Sequence, residues 1–547
     1  MFKETFEHEF TWLQGFMRNV HRFSDSCALY SPSDGQSWTY QELNAAANQV
    51  AHAFQASGVS KNDVVMFMLY NCPEFVFTYI ACHKVGAIAC PVNYRQSSGE
   101  LAAIMADSRP AVFIFEQCLT KTVRSALELS EYKPRHLVCL YPKDQPMRDT
   151  DSKWIDFRSY VAGLSQSNPV PEEPAHIYDE TTRLYTSGTT NRARAVPMNN
   201  INEVLSSHDV MMHFPLNPTD KTMNMTPWFH RGGLHSGGPT PTLYAGGEVV
   251  ILREFNPKTC LKYVAQEKVT FLIGVPSIIA LLARAQEHDP ADLSSLRGIV
   301  TMGAPFEKSA CEKYLKLLTP NIFNGYGTTE TFWNTFLRPY NLPQMAGTAG
   351  QAMTDDEVRI VRCVENGHAE PNDLVAKDNK EVGEIIIKSP AKSTFCYVNN
   401  PEMTSKKFYK GYHYTGDLGI WDEHEFVTII SRKDDMILSN GENIYPTQIE
   451  AVINAHPKVQ ECAVIGVADR LHGQSIAAYI VPADPSLTVE EIKQYCVGVP
   501  LLPAYKRPKF YKIVSEIPHT ATGKITHYKL RNRGSTEDWS KQDWPLL

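Results

Sequence analysis

Glu42-Leu43-Asn44-Ala45-Ala46-Ala47-Asn48-Gln49-Val50-Ala51-His52-Ala53-Phe54-Gln55-Ala56-Ser57-Gly58 is followed closely by Val64-Val65-Met66-Phe67-Met68-Leu69, and the two stretches carry different hydrophobic periods. In the first, Leu43, Ala46, Ala47, Val50, Ala51 and Phe54 fall on one helical stripe, and Gly58 suits the stop of a helix. The second is a continuous apolar run, the pattern of a parallel strand buried on both faces. Moving outward, Pro73 to Val85 reads as another helix. Gly86 then leads to Ala87-Ile88-Ala89-Cys90, with further strand signals at Ala111-Val112-Phe113-Ile114-Phe115 and His136-Leu137-Val138-Cys139-Leu140. Repeated strand–helix–strand units predict a layered α/β fold.

At 547 residues the chain exceeds the roughly 250–300 residues at which a single hydrophobic core stops growing. Residues 141–180, with Pro142, Pro146, Pro169, Pro171 and Pro174 among polar residues, read as a surface linker between lobes. Strand-like runs resume at 248–252, 271–273, 384–387 and 427–430. Beyond the charged stretch Ser431-Arg432-Lys433-Asp434-Asp435 comes a smaller mixed set: helices at 446–455 and 489–497, strands at 463–467, 477–481 and 510–514. The expected boundary is Asp434, giving an N-terminal domain 1–433 and an α+β C-terminal domain 434–547.

A net charge of −7 offers no basic surface for nucleic acid, and no run of about 18 apolar residues suggests a membrane span. The N-terminus lacks the apolar core of a secretory signal. The 12 cysteines are scattered without a C-x-x-C pair, which fits reduced thiols in a cytoplasmic enzyme better than a zinc or redox site.

Four segments carry the chemistry: Tyr185-Thr186-Ser187-Gly188-Thr189-Thr190, Tyr326-Gly327-Thr328-Thr329-Glu330, Tyr414-Thr415-Gly416-Asp417 and Gly523-Lys524. Hydroxyls and backbone N–H groups around Gly188 suit phosphate oxygens, one carboxylate suits a metal ion, another a ribose diol, and a late lysine supplies a positive charge. The first loop is not of the Gly-x-x-x-x-Gly-Lys-Ser/Thr kind, since Ala193-Arg194-Ala195 follows it.

In that ordered set the chain resembles the acyl-adenylate-forming superfamily: acyl- and aryl-CoA ligases, peptide-synthetase adenylation domains and beetle luciferases. The resemblance runs from Trp38-Thr39-Tyr40 to Leu530-Arg531. The family's loop is Thr-Ser-Gly-Thr-Thr-Gly-x-Pro-Lys-Gly-Val. Here Asn191, Ala193, Arg194 and Ala195 replace Gly, Pro, Lys and Gly, so the grip on pyrophosphate is the altered element. The resemblance implies a large multi-lobed N-terminal domain, with layered sheets and a small β-barrel-like lobe, and a mobile C-terminal domain.

It also implies roles. Thr186, Ser187, Gly188, Thr189, Thr190 and Arg194 would face phosphates. Gly303-Ala304-Pro305 and Asn324-Gly325-Tyr326-Gly327 would wall the adenine, with Tyr326 stacked on it. Thr328 would also lie in the ATP/AMP site, Thr329 would meet the α-phosphate, and Glu330 would ligate Mg²⁺. Asp417 would bind the ribose hydroxyls and Arg432 would reach the nucleotide. Asp434 would be the hinge and Lys524 the catalytic cation, with Gly441 presented for the thioester step. The chain departs from the family again at Asn440 (usually Gly), His527 (usually Arg) and Cys396 (usually Gly).

A carboxylate attacking an anionic α-phosphate needs positive charge, which Lys524 and Mg²⁺ would supply. The CoA thiol then needs the lysine withdrawn, hence two domain positions. His230, in Pro227-Trp228-Phe229-His230, is either beside the bound carboxylate or simply a packed or surface histidine. Phe332 and Trp333 either shorten an acyl tunnel to suit a flat or six-membered ring, or are core residues.

The expectation is an AMP-forming acyl-CoA synthetase using ATP, Mg²⁺ and coenzyme A on a compact aromatic or alicyclic carboxylate such as benzoate or cyclohexanecarboxylate, reversible toward ATP. The alternatives are a medium-chain fatty acyl-CoA synthetase, an enzyme loading a carrier protein (although no carrier domain follows Arg531), a luciferase-like oxidase and a non-catalytic nucleotide-binding relative.

Overall fold

Thr39 opens the first predicted helix through a reciprocal cap: its hydroxyl accepts from the Glu42 N–H, and the Glu42 carboxylate accepts from the Thr39 N–H. The helix runs Tyr40–Ala56, and the apolar run after it becomes the strand Val64–Met68, buried throughout. The computed structural model describes residues 1–142, 151, 153–186, 194–304, 306, 308–364, 367–439, 442–469, 473–499, 502–519 and 525–534. The chain divides into two compact units, Met1–Val358 with Ile387–His413, and Arg359–Ile386 with Tyr414–Leu547.

The first unit holds two sheets. One has seven strands, in the order Trp154–Asp156, His136–Leu140, Val112–Glu116, Val64–Met68, Ile88–Pro91, Glu180–Thr186 and Arg194–Asn199. It is parallel except for the last pair, where Thr186 pairs with Arg194. Helices Tyr40–Ala56 and Pro73–Val85 pack against one another, and their apolar faces join the main buried cluster. The supposed linker is thus partly structured. Trp154–Asp156 adds an edge strand and Phe157–Val161 a short helix, because Trp154 and Phe157 bury apolar rings that the proline-rich flanks masked.

The other sheet has nine strands, in the order Gln351–Ala352, Phe332–Leu337, Ile322–Thr328, Gly298–Met302, Phe271–Gly274, Lys221–Asn224, Glu248–Val250, Cys27–Ser31 and Gln36–Thr39. Its centre is parallel and its edges are antiparallel. Tyr30 pairs with Val250, and the helix Trp12–Arg22 is tied to the same distant region by Trp12 Nε1 on Thr240 O (2.9 Å) and Asn19 Nδ2 on Leu243 O (2.9 Å).

In the second unit Tyr412–Trp421 pairs antiparallel with Val427–Arg432, in a five-stranded sheet that also includes Gly383–Lys388. A further sheet has the order Glu442–Ile444, Ile437–Ser439, Gly473–Pro482, Val459–Asp469, with Phe510–Ile513 parallel on Gly473–Pro482. Helices Pro446–Asn454 and Val489–Gly498 close its core. Among the described residues no helix is long and apolar enough to cross a membrane.

Candidate functional site

Parallel strands aim their carboxyl ends at one edge of a sheet, where α/β enzymes bind ligands. At that edge the strand Ile322–Thr328 turns back through residues 329–331 into Phe332–Leu337. The turn is too tight for a side chain at Gly327, because an ideal Cβ there would meet the Phe332 carbonyl oxygen at 1.5 Å. Phe332 itself has φ +61, a left-handed conformation that costs a bulky residue about 1–2 kcal/mol.

Glu330 sits in this turn, 8% exposed. Its Oε1 accepts the Tyr397 hydroxyl at 2.6 Å. Burial opposes its ionisation, but the His413 imidazole and the Tyr397 hydroxyl outweigh burial and hold the carboxyl below its ordinary range. Thr328 Oγ1 lies 2.9 Å from Thr331 Oγ1 and 3.5 Å from His413 Nδ1. The Arg194 guanidinium lies 6.0 Å from the Tyr397 ring centroid, and the neighbouring Val398 N–H donates to Ala195 O at 3.0 Å. The structure therefore gathers Arg194, Tyr397, Glu330, Thr328 and His413. Thr186 stands opposite Arg194 at the end of its strand, whereas Ser187, Gly188, Thr189 and Thr190 lie outside the described residues.

Gly303 and Ala304 are exposed just past the strand Gly298–Met302, with Gly303 at φ +88; Pro305 lies outside the described residues. Asn324 is buried, its side-chain oxygen accepting from the Thr301 hydroxyl at 2.6 Å, so this amide braces adjacent strands. Gly325 opposes Phe336 in the strand pairing, and Tyr326 and Thr329 are half-buried.

His230 precedes the short helix Arg231–His235 and is half-buried against Phe229, ring centroids 4.2 Å apart. Phe332 and Trp333 stack at 4.9 Å with their planes 13° apart. Both are 3% exposed and belong to a cluster with Phe214, Phe271, Phe323 and Phe336.

In the second unit Arg432 Nη1 donates to Asp417 Oδ1 at 2.6 Å across directly paired strand positions. Asp434 is exposed in the 3-10 turn Lys433–Asp435 that follows. Gly441 and Lys524 lie outside the described residues, as does Asn440. The backbone either side of Lys524 is held by the bridge His519↔Ile525 and by the Thr526 N–H on Pro518 O (2.8 Å). His527 Nε2 lies 2.7 Å from Glu450 Oε1 and its Nδ1 3.7 Å from Asp435 Oδ2.

A family model described as AMP-binding enzyme matches residues 16–396, and one described as the AMP-binding enzyme C-terminal domain matches residues 448–524. The chain belongs to the AMP-binding enzyme family. Among this AMP-binding enzyme's relatives is an indoleacetate–CoA ligase of Aromatoleum aromaticum, 29% identical over 92% of this chain and 94% of that protein. Another, a long-chain-fatty-acid–CoA ligase of Mycobacterium tuberculosis, is 29% identical over 93% and 95%. The fold matches a solved anthranilate–CoA ligase in complex with anthranoyl-AMP, with TM-score 0.83 and 23% identity over 96% of this chain and 97% of that one.

The residues present fit the magnesium this family's chemistry uses. Glu330 remains a carboxylate although buried, and hard oxygen suits Mg²⁺. Among the described residues no group of three or more His, Cys, Asp or Glu is placed to hold a metal ion. Motif reasoning assigned no function to Tyr397, His413, Arg231 or Lys392. A tyrosine or lysine far along the chain carries no local signal that it will close on Glu330 or on the turn behind it.

Proposed function

We propose that this AMP-binding enzyme activates a compact aromatic or alicyclic carboxylate such as benzoate or cyclohexanecarboxylate. The reaction class is AMP-forming acid–thiol ligation: carboxylate and ATP give acyl-AMP and pyrophosphate, and CoA then gives the thioester and AMP. Family membership and the CoA ligases among its relatives support that class.

Magnesium, when bound, offsets the charge of the phosphates as the carboxylate attacks. Glu330 holds that ion and Thr329 donates to the α-phosphate. Arg194 and the loop Thr186–Thr190 meet the departing pyrophosphate. Gly303, Ala304, Pro305 and the Asn324–Thr328 strand end flank the adenine. Asp417 takes the ribose hydroxyls, Arg432 reaches the nucleotide, and His230 lies beside the acyl carboxylate. Lys524 supplies the attacking geometry's positive charge, and rotation at Asp434 exchanges it for the face carrying Gly441. The expected domains, 1–433 and 434–547, belong to the same reading. So does a cytoplasmic location, which the 12 free thiols support.

What supports a compact ring is the Phe332–Trp333 stack two residues past Glu330, since two bulky rings at this position would shorten an acyl tunnel. The test is CoA-dependent AMP release across a carboxylate panel. Benzoate-like and alicyclic rings should lead by at least about tenfold in kcat/KM, on the scale at which a pocket distinguishes apolar groups. A preference for linear chains would instead identify a medium-chain fatty acyl-CoA synthetase. Measurable ATP formation from acyl-CoA, AMP and pyrophosphate would establish the reverse direction.

A further inference from the structure

Beneath the Glu330 turn lies a buried lysine to which the reaction assigns nothing. Lys392 is 1% exposed, and its ammonium donates to the Asp209 carboxylate, to Asp356 Oδ2 at 2.7 Å and to the Trp333 carbonyl at 2.6 Å. Both carboxylates are sealed from solvent, and His213 Nε2 lies 3.5 Å from Asp209 Oδ1. The same residue grips the turn from its other side. The Lys392 carbonyl accepts Arg231 Nη2 at 2.8 Å, and Arg231 Nη1 donates to the Thr329 carbonyl.

The carbonyls of Thr329 and Trp333 bracket Phe332, the residue in the left-handed conformation. Asn334 completes the brace, donating from Nδ2 to Thr331 O and to Asp356 Oδ2, each at 3.0 Å. A conformation this unfavourable for a bulky side chain persists only where its surroundings over-determine it, and such sites cluster where function needs a fixed geometry. A buried ion pair alone argues little for stability, because well-packed apolar residues often do as well. No apolar residue, however, could hold the Trp333 carbonyl.

We propose that Lys392, anchored by Asp209 and Asp356, is the positioning residue for the Phe332 turn, and so sets the aromatic wall of the acyl pocket. The inference rests on the acyl-pocket reading above.

Lys392→Met keeps the stem and removes the three donors. It should lower the benzoate-to-octanoate ratio of kcat/KM at least tenfold and raise KM for benzoate by a similar factor, while KM for ATP changes less than threefold. Because this variant leaves two buried carboxylates uncompensated, Lys392→Met combined with Asp209→Asn and Asp356→Asn is measured beside it and should show the same split. A folded variant with unchanged selectivity and unchanged benzoate KM would overturn the inference. Loss of fold in both would mark the lysine as scaffold and overturn it too. A wild-type protein without carboxylate-dependent AMP release would overturn the functional reading itself, which an active wild type with unaltered variants would leave standing.

Discussion

The phenol of Tyr397 donates to Oε1 of Glu330 across 2.6 Å, joining two loops 67 residues apart in the chain. A partner of this kind fixes a metal-binding carboxylate's orientation and favours its charged form. Tyr397→Phe should therefore raise the Mg²⁺ concentration for half-maximal AMP release by about 10–100-fold. An unchanged magnesium curve would remove Glu330 from the metal site.

The same contact has a pH signature. Glu330 titrates below its ordinary range, so its ionised form is fully supported above the usual carboxylate pKa and is lost as pH falls through the depressed value. Without the Tyr397 hydroxyl that depression shrinks. The acid limb of the rate profile should then move to higher pH, which AMP release measured from acid to neutral pH would reveal.

Asp417 provides a test on the sugar. Discrimination against a ligand lacking a hydroxyl arises when buried acceptors are left unmatched. The native enzyme should use 2′-deoxy-ATP much less well than ATP, and Asp417→Asn should narrow the gap about tenfold, on the order of one hydrogen bond to a charged group. A constant ratio of the two nucleotides would assign Asp417 to pairing with Arg432 alone.

His527 yields a stability prediction. Burial pulls its pKa down, but hydrogen bonding and charge from Glu450, with Asp435 beyond, raise it above the ordinary value. The stabilisation is complete below the unfolded-state pKa near 6.5 and fades as pH climbs through the raised one. The transition reporting the C-terminal unit should melt higher at pH 6 than at pH 8, by about 2–4 °C for each kcal/mol involved. His527→Gln should flatten that difference.

Lys524→Ala should slow adenylation by about 100–1,000-fold, the scale of losing one electrostatic contact to a transition state, and largely spare thioester formation from supplied acyl-AMP. Parallel loss of both half-reactions would contradict the alternation proposed for Asp434.

Period and punctuation carried the alternating half of the fold. Val64–Met68 and Pro73–Val85 were legible because local residues decide them. The strand Cys27–Ser31 was not, since its partner is Glu248–Val250 and nothing local marks the pairing. Nor was the edge strand Trp154–Asp156, hidden in a proline-rich stretch. At the site, Gly327 was legible as a glycine but not its reason, the oncoming carbonyl of Phe332. Arg231 and Lys392 escaped notice because a buried cation declares itself only through the distant acceptors folding brings to it.

The pairing of Tyr30 with Val250 also has a consequence at the ribosome. At about 5–20 residues per second, the strand Cys27–Ser31 pairs with Gln36–Thr39 at once but waits on the order of 10–45 s for its parallel neighbour, Glu248–Val250, to be made. During that interval the nascent chain presents Trp12 and Phe16, both fully buried at the end, to whatever binds greasy segments.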